Sequence, residues 1–384
     1  MSELISDEYK QTIAQMHAQD KTWGAARPQW SDMINKVIAG FEPHSILDYG
    51  CGKGWLKHEL MTTGSIREYD PAFPSKAGNP LPAEFVTCVD VLEHIEPDRI
   101  DSVLNHIKSK MLVSGFFNIV LNESRKQILP DGRNPHILVK SRDWWIEKLS
   151  NYFDVVVHPG RGRDEHELVV KVYRKTEPIF IAAPPRSGTS MIAKLLNENG
   201  VFVGKCIEAD RNNQFGYFEN KAIVELNKKL LKENGHSGKS EPPELSTIDC
   251  TFDLRAKVLQ SLIAEGYQEG PWLFKDSKIL FTAEIWRKHF PQAKWVLPIR
   301  PINKIVESMG RHATWIRRGN TEYHHECASF MRMLQNKLSE NDAFNSLLIS
   351  SNEVAKGNAH DFEEFITISP ISISRAIQQE AFHA

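Results

Sequence analysis

Residues 45 to 54 read SILDYGCGKG: a short apolar run closed by an aspartate, then three glycines at two-residue spacing, Gly50, Gly52 and Gly54. An apolar run that stops at a carboxylate and opens into glycines reads as a buried strand delivering its carboxyl end to a turn. Glycine there lets the backbone bend sharply and approach a ligand closely at the edge of a parallel sheet. Working outward, strand-like and helix-like segments alternate: WLKHELM helical, SIREYD and EFVTCVDV extended, DRIDSVLNHIKSKM helical, GFFNIVL extended, RDWWIEKLSNYF helical. Such alternation predicts an α/β domain with a mostly parallel sheet. Residues 7 to 40 carry helical spacing in front of it, and DVVVH and ELVVKVYR read as an antiparallel hairpin that closes it across PGRGRDEHE.

A second start follows. EPIFIAAPP is a new strand, and residues 182 to 196, AAPPRSGTSMIAKLL, run from its end through a Gly/Ser/Thr turn into a helix. Alternation resumes, with helices expected over 189–199, 221–234, 253–266, 282–289, 302–311 and 322–339, strands at WLFKD, KWVLPI and SLLIS, and a weakly patterned tail. The expected domains are residues 1–175 and 176–384, since 384 residues exceed one ordinary core.

Composition narrows the class. The chain is 41% hydrophobic and 25% charged with a formal net charge of −2, which gives no sign of a nucleic-acid surface. Five scattered cysteines without a Cys-x-x-Cys pair fit reduced thiols. The N-terminal stretch has no apolar core of a signal peptide, and no run long enough for a membrane span occurs, so a cytoplasmic location is expected. Oligomeric state is not legible.

Taken together, ILDYGCGKG, YDPAF and VDVLEHIEPD resemble a class I S-adenosylmethionine-dependent methyltransferase over roughly residues 15–174. That resemblance implies a Rossmann-like domain with a seven-stranded sheet. It also implies that Asp48, Gly50 and Gly52 contact the methionine end of the cofactor, Asp70 the ribose, and Asp90, Val91 and Leu92 the edge of the adenine pocket. A base for the acceptor's proton is sought in His94 or His136. The resemblance also implies that Asp90, Glu93, His94 and His136 could gather a divalent cation, as in relatives whose EH pair coordinates magnesium, but no metal is assigned to them, because such groups equally satisfy helix caps and loop donors.

In PPRSGTSM the amides of Ser187, Gly188, Thr189 and Ser190 are expected to point into a turn at a helix N-terminus, where orphan donors favour an anion, and Arg186 adds fixed positive charge. The loop lacks the lysine that a triphosphate site needs. PRSGTS followed by Arg300 and, eight residues on, Ser308 resembles the sulfotransferase family, whose donor is 3'-phosphoadenosine 5'-phosphosulfate. GYFEN, WLFKDSK and FPQAKWVLPIRP resemble its carbohydrate- and protein-modifying branch, and the likeness covers about 177–312, a P-loop-like α/β domain. It implies that residues 186–190 hold the 5'-phosphosulfate, that Arg300 and Ser308 hold the 3'-phosphate, and that Arg186 with Lys275 stabilises the bridging oxygen. Ser277 stands where the small-molecule branch has a histidine, so a carboxylate base is expected, Glu219 first and Glu208 second.

The expectation is a bifunctional transferase acting on hydroxyl-bearing small molecules or saccharides. Its alternatives are a methyltransferase with a non-catalytic sulfotransferase-like binding domain, and one fused to a nucleotide kinase or ATPase-like domain.

Overall fold

A computed structural model describes residues 4–366 apart from 21–22, 24–27, 126, 159–165, 211–212, 214–215, 237–248, 312–319 and 359. The polar stretches PGRGRDEHE and GHSGKSEPPELSTID lie largely outside the described residues. The chain divides into two compact units, Met1–Lys175 and Thr176–Ala384.

In the first unit α1 (Asp7–Gln19) and α2 (Pro28–Ala39) precede β1 (Ser45–Tyr49), β2 (Ser65–Tyr69), β3 (Ala83–Val89), α3 (Ile100–Lys110), β4 (Met111–Val120), α4 (Arg142–Ser150), β5 (Phe153–Val157) and β6 (Glu167–Arg174). The helical pattern over 7–40 is two helices rather than one. Pro28 opens the second, where a missing N–H costs nothing, whereas inside a continuous helix it would break the ladder. WLKHELM forms only a single 3-10 turn, Leu56–His58. Trp55 and Met61 face solvent and Leu56 alone is buried, so no apolar stripe holds a longer helix against the sheet.

The sheet has six strands in the order β2-β1-β3-β4-β6-β5, not the seven expected. Between β2 and β3 the chain runs through PAFPSKAGNPLP, whose four prolines withhold ladder donors, and no strand forms there. β1, β2, β3 and β4 pair in parallel, while β6 pairs antiparallel with both β4 and β5, the closing hairpin. From β1 the chain moves to β2 on one side and then back across to β3 on the other. That reversal places a crevice at the carboxyl ends of β1 and β3, where ligands bind in open α/β sheets. One sheet face carries Leu47, Tyr49, Val86 and Phe117, packed with α3 and α4 through Leu104, Ile107, Trp145 and Leu149. On the other, Trp30 meets Phe116 and Phe41 meets Phe85.

The second unit contains β7 (Glu177–Ile181), α5 (Thr189–Glu198), α6 (Lys221–Glu233), α7 (Leu254–Ala264), β8 (Pro271–Lys275), α8 (Ile279–His289), β9 (Lys294–Ile299), α9 (Ile302–Gly310), α10 (Thr321–Ser339), β10 (Asn345–Ser350), α11 (Ser351–Ala355) and α12 (His360–Ile366). Its sheet is wholly parallel, in the order β10-β9-β7-β8. Strand alternation divides its residues between two cores. Phe180, Trp272, Phe274, Trp295 and Leu297 enter one, and Ile179, Ile181, Leu273 and Val296 the other. Burial on both faces is what a parallel sheet requires, and it explains why these strands read as continuous apolar runs. The order again reverses at β7, between β8 and β9, so the PPRSGTS turn after β7 and Arg300 after β9 meet at a second crevice.

Among the described residues no helix is long and apolar enough to cross a membrane. All five cysteines are free thiols.

Candidate functional sites

In the first unit a cavity of about 780 Å³ opens at the carboxyl ends of β1 and β3. Asp48, Gly50, Gly52, Asp70, Asp90, Val91, His94 and His136 all line it. Register explains Asp48: in the parallel pairing it aligns with Thr87, and the Thr87 hydroxyl donates to Asp48 Oδ1 at 3.0 Å. Burial pushes the Asp48 carboxyl up to about 7, with the Thr87 hydrogen bond opposing. Gly50 and Gly52 adopt φ of 73° and 50°. A side chain at Gly50 would put Cβ 2.5 Å from Val91 Cγ2, so glycine is needed there for close approach as well as for the turn.

Asp70 closes this loop. Its Oδ2 accepts the Gly52 amide and its Oδ1 the Ala72 amide, both at 2.9 Å. Burial raises its pKa, opposed by these two amides. The carboxylate expected on the ribose therefore also braces the glycine turn. Asp90, with φ of 54°, accepts from the Asn118 side chain.

The far wall carries two imidazoles. His94 Nδ1 lies 2.7 Å from the Pro135 carbonyl and His136 Nδ1 2.5 Å from the Asn122 carbonyl. A carbonyl only accepts, so Nδ1 carries the proton in each ring and Nε2 keeps its lone pair. Burial, then the neighbouring His136, holds the His94 pKa down at about 4. The rings stand edge to face with centroids 5.0 Å apart. Behind them Glu93 is completely buried: its Oε1 accepts the Val120 amide at 3.0 Å, while Oε2 has no partner.

Sequence reasoning missed the N-terminal contribution. Tyr9, Ile13 and His17 of α1 line the same cavity, joined by Trp23. The Tyr9 hydroxyl and His17 Nδ1 are buried without a hydrogen-bond partner. Spacing of four residues, which puts 9, 13 and 17 on one helix face, was the available signal.

In the second unit the turn after β7 is strained as a cradle is. Arg186 has φ of 67° and Gly188, the N-cap of α5, φ of 85°. Arg186 Nε donates to Ser308 Oγ at 2.9 Å, and Arg300 Nη1 donates to the Arg186 carbonyl at 3.0 Å. The three residues are thus brought together, although Ser308 is bonded to Arg186 rather than to Arg300. Arg332, unforeseen from sequence, donates through Nη2 to the Arg300 carbonyl at 2.9 Å, and its Nε is buried without a partner. None of these three arginines pairs with a carboxylate among the described residues. Burial, and for Arg186 and Arg300 a neighbouring guanidinium, lowers their pKa. Ser187 Oγ is also buried and unpartnered.

Lys275 is 4% exposed and donates to Glu219 Oε1 and the Tyr217 carbonyl, each at 2.8 Å, and to Ser190 Oγ at 3.3 Å. It does not pair with its neighbour Asp276, which accepts from Asn227 instead. Thr189 and Ser190 open α5, as the turn reading placed them. Glu208 is solvent-exposed and pairs with Lys221.

No protein-family model matches the chain, and no curated protein does. Solved structures similar to it include the Burkholderia thailandensis 1,6-didemethyltoxoflavin-N1-methyltransferase with bound 1,6-didemethyltoxoflavin and S-adenosylhomocysteine, at 18% identity over 44% of this chain and 89% of that one, TM-score 0.33. The N-methyltransferase NodS from Bradyrhizobium japonicum WM9, with S-adenosylhomocysteine, is similar at 13% identity over 44% and 99%, TM-score 0.32. Magnesium protoporphyrin IX methyltransferase from Synechocystis PCC 6803, with the same ligand, follows at 15% identity over 38% and 83%, TM-score 0.28. All three are methyltransferases, and each is similar to less than half of this chain, in its N-terminal part.

Proposed function

We propose that the first unit is an S-adenosylmethionine-dependent methyltransferase acting on a small molecule. The observation that carries this reading is the acidic, glycine-turned cavity at the β1/β3 reversal, lined by Asp48, Gly50, Gly52, Asp70 and Asp90. The residues fit the cofactor. Three carboxylates suit a ligand that is cationic at its methionine end and hydroxylated at its ribose, and they oppose a phosphate. Bound there, the cofactor supplies a methyl group made electrophilic by a sulfonium. Asp48 holds a positive charge, Asp70 accepts from hydroxyls on its remaining lone pairs, and Asp90 and Val91 edge the base. Tyr9, His17 and Trp23, which line the same cavity, would pack against the acceptor. Titrating the chain with S-adenosylhomocysteine tests it: stabilisation is expected, with a shift that Asp70→Ala abolishes. No shift in the parent protein would overturn the reading.

A second reading covers the other unit, and the cluster of Arg186, Arg300, Arg332 and Ser308, whose arginines pair with no carboxylate among the described residues, favours it. There we infer a site for 3'-phosphoadenosine 5'-phosphosulfate, making the chain a bifunctional transferase. Half-buried guanidinium donors, the unpartnered Ser187 hydroxyl and the amides opening α5 fit an anion. Bound there, that donor supplies a sulfuryl group to a hydroxyl-bearing acceptor, with a saccharide as the candidate class. Lys275 is held beside Ser190 to face the developing negative charge. Stabilisation by 3',5'-adenosine bisphosphate, lost in Arg300→Ala, is the expected result. Stabilisation by magnesium ATP alone would assign this unit to a kinase or ATPase instead.

A further inference from the structure

In the second unit the ladder between β7 and β9 is cut short just before the anion-binding turn. Its register ends with Ile181 opposite Val296, and the Ala182 amide makes the last bond, to the Val296 carbonyl at 3.0 Å. Continued in parallel, the ladder would join the Ala182 carbonyl to the amide of residue 298, and the carbonyl of 298 to the amide of residue 184. Both of those residues are proline and have no N–H to give. The Gln335 side chain fills the gap, its Nε2 donating to the Ala182 carbonyl at 3.2 Å and to the Pro298 carbonyl at 2.9 Å. From this arrangement we propose that Gln335, with Arg332 and Ser351, is a positioning residue: it holds the strand ends that carry Arg186 and Arg300, and so sets the geometry of the anion site. The proposal rests on the reading of that site as one for 3'-phosphoadenosine 5'-phosphosulfate.

Gln335 is fully buried on α10, in the same apolar stripe as Met331, Leu334 and Leu338. Packing alone calls for an apolar side chain there, because a buried amide is costly unless it is hydrogen-bonded. The amide is turned so that its two N–H groups meet carbonyls, which only accept, while Oε1 is left without a partner. Three residues earlier on the helix, Arg332 Nη2 donates to the Arg300 carbonyl at 2.9 Å, and Ser351, which opens α11, donates through Oγ to the Ile299 carbonyl at 3.2 Å. The successive carbonyls of Pro298, Ile299 and Arg300 at the exit of β9 are therefore all held by side chains of α10 and α11. This bracket reaches the turn as well: Arg300 Nη1 donates to the Arg186 carbonyl, and a Cβ at Gly188 would lie 2.7 Å from Ser351 Cβ. Being fully buried, Gln335 acts on a ligand only through the strand ends.

The test is calorimetry with 3',5'-adenosine bisphosphate on the full chain, with urea curves beside it so that affinity is read on folded protein. Gln335→Met keeps the packing and removes both donors, and affinity is expected to fall about tenfold or more, since a site no longer preorganised loses binding energy to ordering. Pro298→Ala in the same chain returns an N–H to the Ala182 carbonyl and recovers most of that loss, which a role in filling space would not allow. Ser351→Ala, which removes one hydroxyl and keeps Cβ against Gly188, is the second variant should Gln335→Met not fold, with an expected loss of about threefold or more. Unchanged affinity in folded Gln335→Met, or in Ser351→Ala where the first does not fold, overturns the bracket, and so does a loss that Pro298→Ala leaves untouched. Absence of bisphosphate binding in the parent protein overturns the donor-site reading itself, and the proposal with it.

Discussion

Replacing Gly50 with alanine tests whether the glycine turn is dictated by conformation, by contact, or by both. The backbone there has φ of 73°, a left-handed conformation that costs a residue with Cβ roughly 1–2 kcal/mol. The added methyl meets Val91 Cγ2 at 2.5 Å and Cγ1 at 2.7 Å. Carbon atoms settle about 3.5–4.0 Å apart, so Val91 has to retreat by about 1 Å, and such overpacking costs about 1–3 kcal/mol. Gly50→Ala is therefore expected to destabilise by about 2–5 kcal/mol. Val91→Ala removes both clashing methyls at a cost of its own of about 1–2 kcal/mol. In the double variant the two closest contacts are gone and only Val91 Cβ at 3.2 Å stays tight, so its destabilisation falls about 1–3 kcal/mol short of the sum of the singles. Urea denaturation of the four proteins, followed by circular dichroism on the transition that Gly50→Ala moves, completes the cycle. Additivity within about 0.5 kcal/mol would refute the contact argument and leave only the conformational one.

Three further outcomes follow from the sites. Burial raises Asp48 from the ordinary carboxylate range to about 7, so the folded state binds this proton more tightly than the unfolded one. Its stability contribution is then fully present below about pH 4 and lost as pH rises through about 7, on the order of 4 kcal/mol in all; Asp48→Asn flattens urea midpoints over that window, and parallel slopes sink the idea. Glu219→Gln strands the buried Lys275 ammonium, and because Glu219 itself is partly exposed the cost is discounted to about 1–3 kcal/mol, read as a lowered Tm that Lys275→Met in the same chain restores; no restoration refutes the pairing. Ser308→Ala removes the acceptor that holds the Arg186 guanidinium, and affinity for 3',5'-adenosine bisphosphate is expected to fall about tenfold by calorimetry, an unchanged affinity counting against the cradle.

Much of this architecture was legible because it is written in local chemistry. The alternation of apolar runs with helical spacing gave the mostly parallel first sheet and the α/β second unit, since a strand buried on two faces, such as Ile179 to Ile181, has no polar residue to confuse its reading. The turns after β1 and β7 were equally plain. What failed did so for physical reasons. The seventh strand was inferred from resemblance, whereas the prolines at 71, 74, 80 and 82 deny it a ladder. WLKHELM has helical residues without a buried stripe. Tyr9, His17 and Arg332 were overlooked because their roles come from long-range packing: nothing near Arg332 in sequence reveals that its guanidinium reaches the Arg300 carbonyl. Lys275 likewise has a carboxylate one residue away, yet Asp276 accepts from Asn227 of a distant helix and the Lys275 ammonium donates to Glu219.

The two glycine-bearing turns look alike in sequence, and the topology places both at a strand-order reversal, but the charges around them are opposite. Asp48, Asp70 and Asp90 surround the first, and burial holds the Asp48 and Asp70 carboxyls above their ordinary range, a cost that a cation or a hydroxylated ligand relieves and an anion worsens. Around the second turn Arg186, Arg300 and Arg332 have no carboxylate partner among the described residues, and partial burial lowers the pKa of each, a cost that an anion relieves. Exchanging the ligands between the sites would therefore be opposed by like charge brought together in both. Backbone shape at a glycine turn is permissive, and on the proposed reading it is the sign of the charge beside it that would select the ligand. Specificity in each unit is then as much a matter of what the site repels as of what it holds.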